Sequence, residues 1–404
     1  MNEIVFRLGL VSLFNDISTE MLYPITPIFL TVVLGASMAS VGWIEGFSEF
    51  LASLLKVYFG QWSDTVGERR PFVIAGYSLS TIARPLIGLA QSWPFVFFAR
   101  AFDRLGKAVR GAPRDALLAD SVEKKSLGRA FGWHRGMDSL GAVLGPLLAL
   151  VLLKEDGHHL RLIYFLSAIP ALIAVLLVFS VRERRLSGER AQNSPASQPT
   201  VQEPRLKKAQ ARLRIKNLPV QFQKYLIALG VFSLANSSDA FLLLKMKSVG
   251  VSLTGVILLY GFYNVFYSVT SPWLGHLSDR LGRKQVLIFG FVLFACVYLG
   301  FTRASSPLAF SGLLAVYGIY MGATEGVGKA WAIDLVASEF KGAALGFMGM
   351  VTGLCGLIAS VSAGLIWDHF GSSGPFMYGA VGAAISCVLL LFVRSPGNMS
   401  EGIL

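Results

Sequence analysis

Two pairs of acidic residues stand one helical turn apart in sequence that is otherwise apolar: Asp16 with Glu20, and Glu45 with Glu49. An i, i+4 spacing puts both members of a pair on one helix face. A carboxylate in apolar surroundings is costly. It persists there by binding a proton, by pairing with a cation or by lining a water path. Two chemistries are therefore open. The pairs can load and release protons, since desolvation and a like-charged neighbour both favour the neutral acid. Alternatively they are fixed partners of Lys56, Arg84 or Arg104 that hold helices together. At about 1.5 Å per residue, Glu20 and Glu49 fall near mid-helix.

A second set of polar residues lies in the other half of the chain: Asn236, Asp239, Tyr260, Asn264 and Glu325. "SLFNDIS" (12–18) aligns with "SLANSSD" (233–239), and "LLADSV…GRAFG" aligns with "WAIDLV…GAALG". This duplication matches Asn15 with Asn236, Glu45 with Tyr260 and Glu49 with Asn264. Tyr23, Tyr260, Tyr263 and Tyr267 supply amphipathic rings around these positions. Asp103, Lys107, Arg110 and Arg114 recur at i, i+4, i+7 and i+11, one helical face that cannot meet lipid. Asn15, Lys107, Asn236, Asp239, Tyr260, Asn264 and Glu325 thus form a candidate set for a small-molecule ligand, with Lys107 able to attract an anion. Arg110 and Arg114 are expected to pair with Asp115, Asp120 or nearby loop aspartates as part of a gate.

The elements that must hold these residues are membrane helices. The chain has 404 residues, is 54% hydrophobic and only 15% charged, and its mean hydropathy is +0.59. A soluble domain carries about 25% charged residues. Leu22–Ile44, Leu162–Val181 and Gln285–Thr302 contain no Asp, Glu, Lys or Arg, and about 20 such residues cross a bilayer. Hydropathy predicts twelve spans, at about 7–32, 38–62, 71–91, 94–122, 128–153, 160–181, 222–245, 252–274, 285–303, 307–336, 342–367 and 373–393. The first apolar segment carries Asn15, Asp16 and Glu20, which argues against a cleavable signal peptide. The expected architecture is all-α: two six-helix halves, 1–181 and 222–404, joined by a linker at 182–221.

Arg182–Lys216 holds ten Lys/Arg against three Asp/Glu, more than half of the chain's formal charge of +12. The loops at Arg69–Arg70, Lys124–Arg129 and Arg280–Lys284 fall on the same side. Positive loops stay in the cytoplasm, so both termini and the linker are expected there, in a plasma membrane. The basic balance then reflects topology and contact with lipid headgroups, and no basic soluble domain suggests nucleic acid. Cys296, Cys355 and Cys387 sit in apolar runs without metal-ligand spacing. No cofactor is implied. Phosphate-loop, HExxH and GxSxG motifs are absent, which argues against an enzyme.

"GQWSDTVGERR" (60–70) returns as "GHLSDRLGRKQ" (275–285) between equivalent spans of the two halves. These phrases resemble the loop signature of the major facilitator superfamily, roughly G-x-x-x-D-R-x-G-R-[RK]. The second copy matches at Gly275, Asp279, Arg280, Gly282, Arg283 and Lys284. The first keeps Gly60, Asp64, Gly67 and Arg69 but departs at Thr65 and Glu68, which puts a weakened latch in prospect. Arg100, with Asp103 and Gly106, is similar to another family signature at altered spacing. Gly141, Gly145 and Pro146 stand where the family's antiporters carry a glycine-proline motif, with Leu147 and Leu148 replacing its trailing glycines. All these residues are gating candidates on the resemblance. It implies a monomeric secondary transporter working by alternating access on a small molecule, coupled to protons or another ion. Proton-coupled export is the leading expectation. The alternatives are an uptake symporter for an anionic metabolite, with Lys107, Arg100 or Arg104 as its receptor, and a membrane receptor that does not transport.

Overall fold

A computed structural model describes residues 3–123, 126–153, 157–181, 218–337 and 340–394. Most of the expected linker, 182–217, lies outside the described residues, as do Lys124, Lys125 and the last ten residues.

Twelve helical spans follow one another and, among the described residues, there is no strand. The first six are α1 (Glu3–Leu22), α2 (Met38–Val66), α3 (Arg70–Leu89), α4 (Trp93–Asp120), α5 (Leu127–Leu152) and α6 (Gly157–Ser180). The second six are α7 (Val220–Ser248), α8 (Leu253–Leu281), α9 (Arg283–Arg303), α10 (Pro307–Asp334), α11 (Lys341–Phe370) and α12 (Gly374–Leu391). Past α1 the chain continues through Thr26–Ile28 and a π-helical turn, Phe29–Val33. α7 breaks between Ala235 and Ala240 at the polar run Asn236–Asp239. Nine of the twelve are long and apolar enough to cross a bilayer by composition. α1, α2 and α4 are set apart by the charged side chains they carry.

The duplication reaches the helix caps. α2 and α8 are both 29 residues long, and Ser37 and Ser252 cap them by accepting the N–H of Ser40 and Gly255, each at 3.1 Å. Both end on a glycine with positive φ, Gly67 at 75° and Gly282 at 99°, a conformation that a side chain would oppose. The repeated phrases are therefore not mainly loops, as the sequence suggests. Gly60–Val66 and Gly275–Leu281 complete the helices, because only the glycine at the end interrupts the helical hydrogen bonding.

Packing repeats as well. α1 lies against α5 and α6, α4 against α2 and α3, and α3 against α6; α7–α12 repeat every contact six helices later. The halves meet mainly where antiparallel α2 packs along α11 and where α5 meets α8. A Cβ on Gly46 would lie 3.0 Å from the Leu357 Cα, so glycine lets α2 and α11 touch backbone to backbone. On the side away from the termini, Ile25, Ile28 and Phe29 share one apolar core with Phe241–Leu244 of the other half. On the terminus side Val5, Leu8 and Leu117 form a cluster confined to the first half. Apolar packing between these ends of the two halves is thus seen at the far side, while the terminus-side cluster belongs to the first half alone.

Candidate functional site

The α2 acids are taken by cations of α4. Arg100 donates to both oxygens of Glu45, at 2.7 and 2.9 Å, with both side chains buried. Arg104 reaches Glu49 at 3.0 Å, and Lys107 lies 3.7 Å from the same carboxylate. The i, i+4 spacing on α2 thus meets an i, i+4 pair of arginines on α4. Arg84 of α3 donates to Asn15 Oδ1 and Thr19 Oγ1, both at 2.9 Å. Arg110 turns to α3, donating to Ser80 Oγ at 2.6 Å and lying over the Tyr77 ring. Arg100 is thus a buried partner of Glu45. One pairing expectation is corrected: among the described residues Arg110 has no aspartate within ion-pair distance, because it is taken up by the α3–α4 contact. Arg114 does pair with Asp115, at 2.8 Å.

Asp16, Glu20 and Asp239 stand differently, each without a cation within ion-pair distance among the described residues. Asp16 accepts from the Asn15 amide at 3.0 Å. Tyr260 of α8 donates to Glu20 at 2.7 Å, across the boundary between the halves. Tyr317 of α10 donates to Asp239 at 2.6 Å. Arg104, Lys107 and Asp239 are all near enough to Glu20 for their charges to act on it, though none of the cations is within ion-pair distance among the described residues. The glycine motif of α5 backs the α1 acids. A Cβ on Gly141 would lie 2.9 Å from Asp16 Cβ, and one on Gly145 would lie 2.7 Å from Glu20 Cβ. Pro146 sits next, facing Gly261 of α8.

Between Glu20 and Asp239 runs a chain of rings. Tyr23 stacks on Tyr260 with centroids 5.2 Å apart, and Tyr263 joins Tyr260 at 5.8 Å and Tyr317 at 5.5 Å. Tyr320 continues the chain, 5.1 Å from Tyr317, and receives the Asn236 amide at 3.2 Å. Asn264 is buried with its amide nitrogen unpartnered. Behind Tyr320 a cavity of ≈ 280 Å³ lies inside the second half, among α7, α9, α10 and α11, and Asn236, Glu325 and Lys329 reach its wall. Glu325 gathers Tyr267 of α8, Lys329 at 3.3 Å and Arg135 of the opposite half at 3.7 Å. The structure therefore links Tyr260, Asp239 and Asn236 through one chain of rings, while Asn15 is held by Arg84 and Asp16. Lys107 belongs to the Glu49 pair, and Glu325 lies toward the termini.

At the terminus side both repeated phrases build the same constellation. Arg69 lies 3.3 Å from Asp64 and 3.2 Å from Asp120 at the end of α4. Arg283 lies 3.2 Å from Asp279 and also pairs with Asp334 at the end of α10. Thr65 and Glu68 do not remove the first-half set, because Arg69 makes both contacts. Lys284 donates to the carbonyls of Leu391, the last residue of α12, and of Val393 just beyond it, each at 2.8 Å. Arg280 is exposed, Gly60 packs on Ala112, and nothing crowds Gly275. At the far side Asp368 of α11 accepts the backbone N–H groups of Met38 at 3.1 Å and Ala39 at 2.9 Å, the first turn of α2.

Asp368, Asp334, Arg135, Tyr317 and Tyr320 were missed in the sequence. For Asp334 the signal was present, since it aligns with Asp120. Among the described residues no three His, Cys, Asp or Glu side chains converge as a metal ion requires.

The model of the family described as Major Facilitator Superfamily matches residues 8–245 and 225–402. An uncharacterized MFS-type transporter of Methanocaldococcus jannaschii is 34% identical over 399 residues, covering 97% of this chain and 95% of its own. Multidrug resistance protein 1 of Bacillus subtilis is 22% identical over 383 residues, covering 93% and 92%. Among solved structures, a D-xylose-proton symporter superposes with a TM-score of 0.76 at 16% identity, over 97% of this chain and 98% of that one.

Proposed function

The chain belongs to the major facilitator superfamily, a membrane-embedded transporter rather than an enzyme, and from that premise we propose that it exports a small organic molecule in exchange for protons. It works as a monomer by alternating access, in the plasma membrane, with its termini and basic linker in the cytoplasm. The observation that supports coupling to protons is the difference between the carboxylates. Glu45 and Glu49 are held by arginines, and an ion-paired carboxylate is poorly suited to carry a proton. Among the described residues Asp16, Glu20 and Asp239 have no cation within ion-pair distance, and Glu20 and Asp239 come from opposite halves. The proton path therefore narrows from the four acids of α1 and α2 to Asp16, Glu20 and Asp239. A multidrug resistance protein among the relatives agrees with export. Because a shared apolar core joins the halves at the far side and the terminus-side cluster stays within the first half, this conformation is read as the one that faces the cytoplasm.

The test is a proteoliposome assay with a trapped pH-sensitive dye and a panel of small organic cations, anions and neutral molecules. At least one compound is expected to drive proton movement. Glu20→Gln and Asp239→Asn are expected to abolish pH-driven movement, while one of them retains downhill exchange, because an amide mimics the protonated acid. Retained pumping with unchanged pH dependence in both variants would refute this assignment.

A further inference from the structure

The contact between α2 and α11 stops partway along the two helices. A Cβ on Gly42 would lie 2.1 Å from the Ser360 carbonyl oxygen, and one on Gly353 would lie 3.1 Å from the Ser53 Cβ. Gly349, Gly346 and Gly342 continue the face of Gly353 toward the terminus side, since steps of three and four residues share a face. Nothing lies within 4 Å of a Cβ built on any of these three. Lys56, one turn past Ser53, therefore stands where the two halves separate. It is exposed and, among the described residues, has no ion-pair or hydrogen-bond partner. Its stem crosses α4 at Gly111, whose Cβ would lie 3.4 Å from the Lys56 Cε. Asp115, Arg114, Lys329 of the opposite half and Lys107 are near enough for their charges to act on its ammonium.

Cations come to this opening in surplus. Glu49 is held by Arg104 at 3.0 Å, which leaves Lys107 as its more distant partner at 3.7 Å. Asp115 is held by Arg114 at 2.8 Å. Glu325 lies between Lys329 at 3.3 Å and Arg135 at 3.7 Å, and Arg135 is 3.9 Å from Asp138. With Lys56, six cations among these groups face four carboxylates. Arg100 and Arg104 are taken by Glu45 and Glu49, so the lysines carry the surplus. A charge kept for topology alone reaches toward lipid headgroups, whereas Lys56 comes near Lys329 of the other half and is repelled by it.

We propose that this opening binds a small organic anion, whose carboxylate, sulfonate or phosphate group is held by Lys56 and Lys107 of the first half and by Lys329 of the second. The inference rests on the transporter reading, whose cargo it identifies by charge, and it is independent of the direction of transport. An anion between cations of the two halves turns their repulsion into attraction. It therefore favours closure of the terminus side over the open state, the differential interaction through which a ligand shifts a conformational balance.

The test does not need the natural ligand. With Cys296, Cys355 and Cys387 replaced by alanine, Gly111→Cys places a thiol beside the Lys56 stem. Purified protein in phosphatidylcholine nanodiscs is labelled with the sulfonatoethyl and the trimethylammonioethyl methanethiosulfonates. The anionic-to-cationic rate ratio is expected to exceed that of free 2-mercaptoethanol at least about tenfold. The thiolate fraction acts on both reagents alike and cancels. Lys56→Gln and Lys329→Gln are each expected to lower the ratio at least about threefold, while Lys56→Arg keeps it. At equal ionic strength 3-phenylpropanoate and phenyl phosphate are expected to slow labelling, while 2-phenylethylammonium and 2-phenylethanol do not. A ratio at or below the free-thiol value, a ratio untouched by both glutamine variants, or protection by neither anion overturns the proposal. So does protection that requires phosphatidylglycerol in the nanodisc, which assigns the lysines to a lipid headgroup. Circular dichroism melting of each variant separates misfolding from a changed ratio. Proton flux in the assay above without these labelling effects refutes the anion site and leaves the transporter reading standing; the labelling effects without flux for any compound do the reverse.

Discussion

Replacing Asp368 by alanine removes the carboxylate that receives the first two N–H groups of α2 from across the boundary between the halves. Ser37 still caps α2 through Ser40, so the helix keeps a cap of its own and the loss falls on the contact with α11. A carboxylate on helix N–H groups contributes about 0.5–2 kcal/mol, with about 0.3–1 kcal/mol from the helix dipole alone. Asp368 is exposed, so water and salt screen it and about 1 kcal/mol is the relevant magnitude. Once the halves part at the far side, these N–H groups bond to water whether or not Asp368 is present. The whole effect therefore appears in the balance between far-side-closed and far-side-open states. At 1.4 kcal/mol per tenfold, the ratio shifts roughly fivefold toward the open state.

The assay is pulsed electron spin resonance with spin labels at Gln91→Cys and Ser305→Cys, both exposed in far-side loops of opposite halves, the native cysteines replaced. Asp368→Ala is expected to move population from the short to the long distance. Asp368→Asn, which keeps an acceptor without the charge, is expected to do so less. If both variants overlay the parent distribution, Asp368 caps α2 without holding the gate, and the reasoning fails.

Arg69→Gln and Arg283→Gln are expected to impair transport to a similar degree, since each arginine holds the same two aspartates of its half; a silent Arg69 variant in the flux assay would show the first-half copy to be idle. Glu45→Gln leaves Arg100 buried without its counter-charge, a loss of about 3–5 kcal/mol, read as a lower melting temperature that Glu45→Leu with Arg100→Leu largely restores. Gly145→Leu drives a side chain into Glu20 Cβ and the Ile17 carbonyl, so α1 and α5 separate and monodisperse yield in size-exclusion chromatography is expected to fall sharply; normal yield would show that the close α1–α5 contact is dispensable.

The twelve spans and the duplicated halves were legible because the bilayer imposes length and apolarity on every helix, and because the repeat preserved caps as small as Ser37 and Ser252. The acids were legible as a set but not in their roles. The spacing of Glu45 and Glu49 is the same as that of Asp16 and Glu20. What separates them is that α4, some 50 residues away, sets Arg100 and Arg104 at the same period against α2 and nothing equivalent against α1. Asp368 gave no signal, since an aspartate after a tryptophan at a helix end reads as an ordinary solvated charge. Its partners are backbone N–H groups more than 300 residues earlier, which sequence pattern does not reveal.

The two halves hold different parts of the task although they share one fold. Charges concentrate in α1, α2 and α4, while the corresponding α7, α8 and α10 carry tyrosines. The hydrogen bond from Tyr260 to Glu20 joins these two chemistries across the boundary. A hydroxyl donates about twice as strongly to a carboxylate as to a neutral acid, so the bond favours this conformation most when Glu20 has lost its proton. Protonation weakens the tie between α1 and α8 and so favours the state in which the far side opens. For the proton exchange proposed above, such a bond makes the balance between the two states depend on whether Glu20 carries its proton, which is the differential interaction that linkage demands.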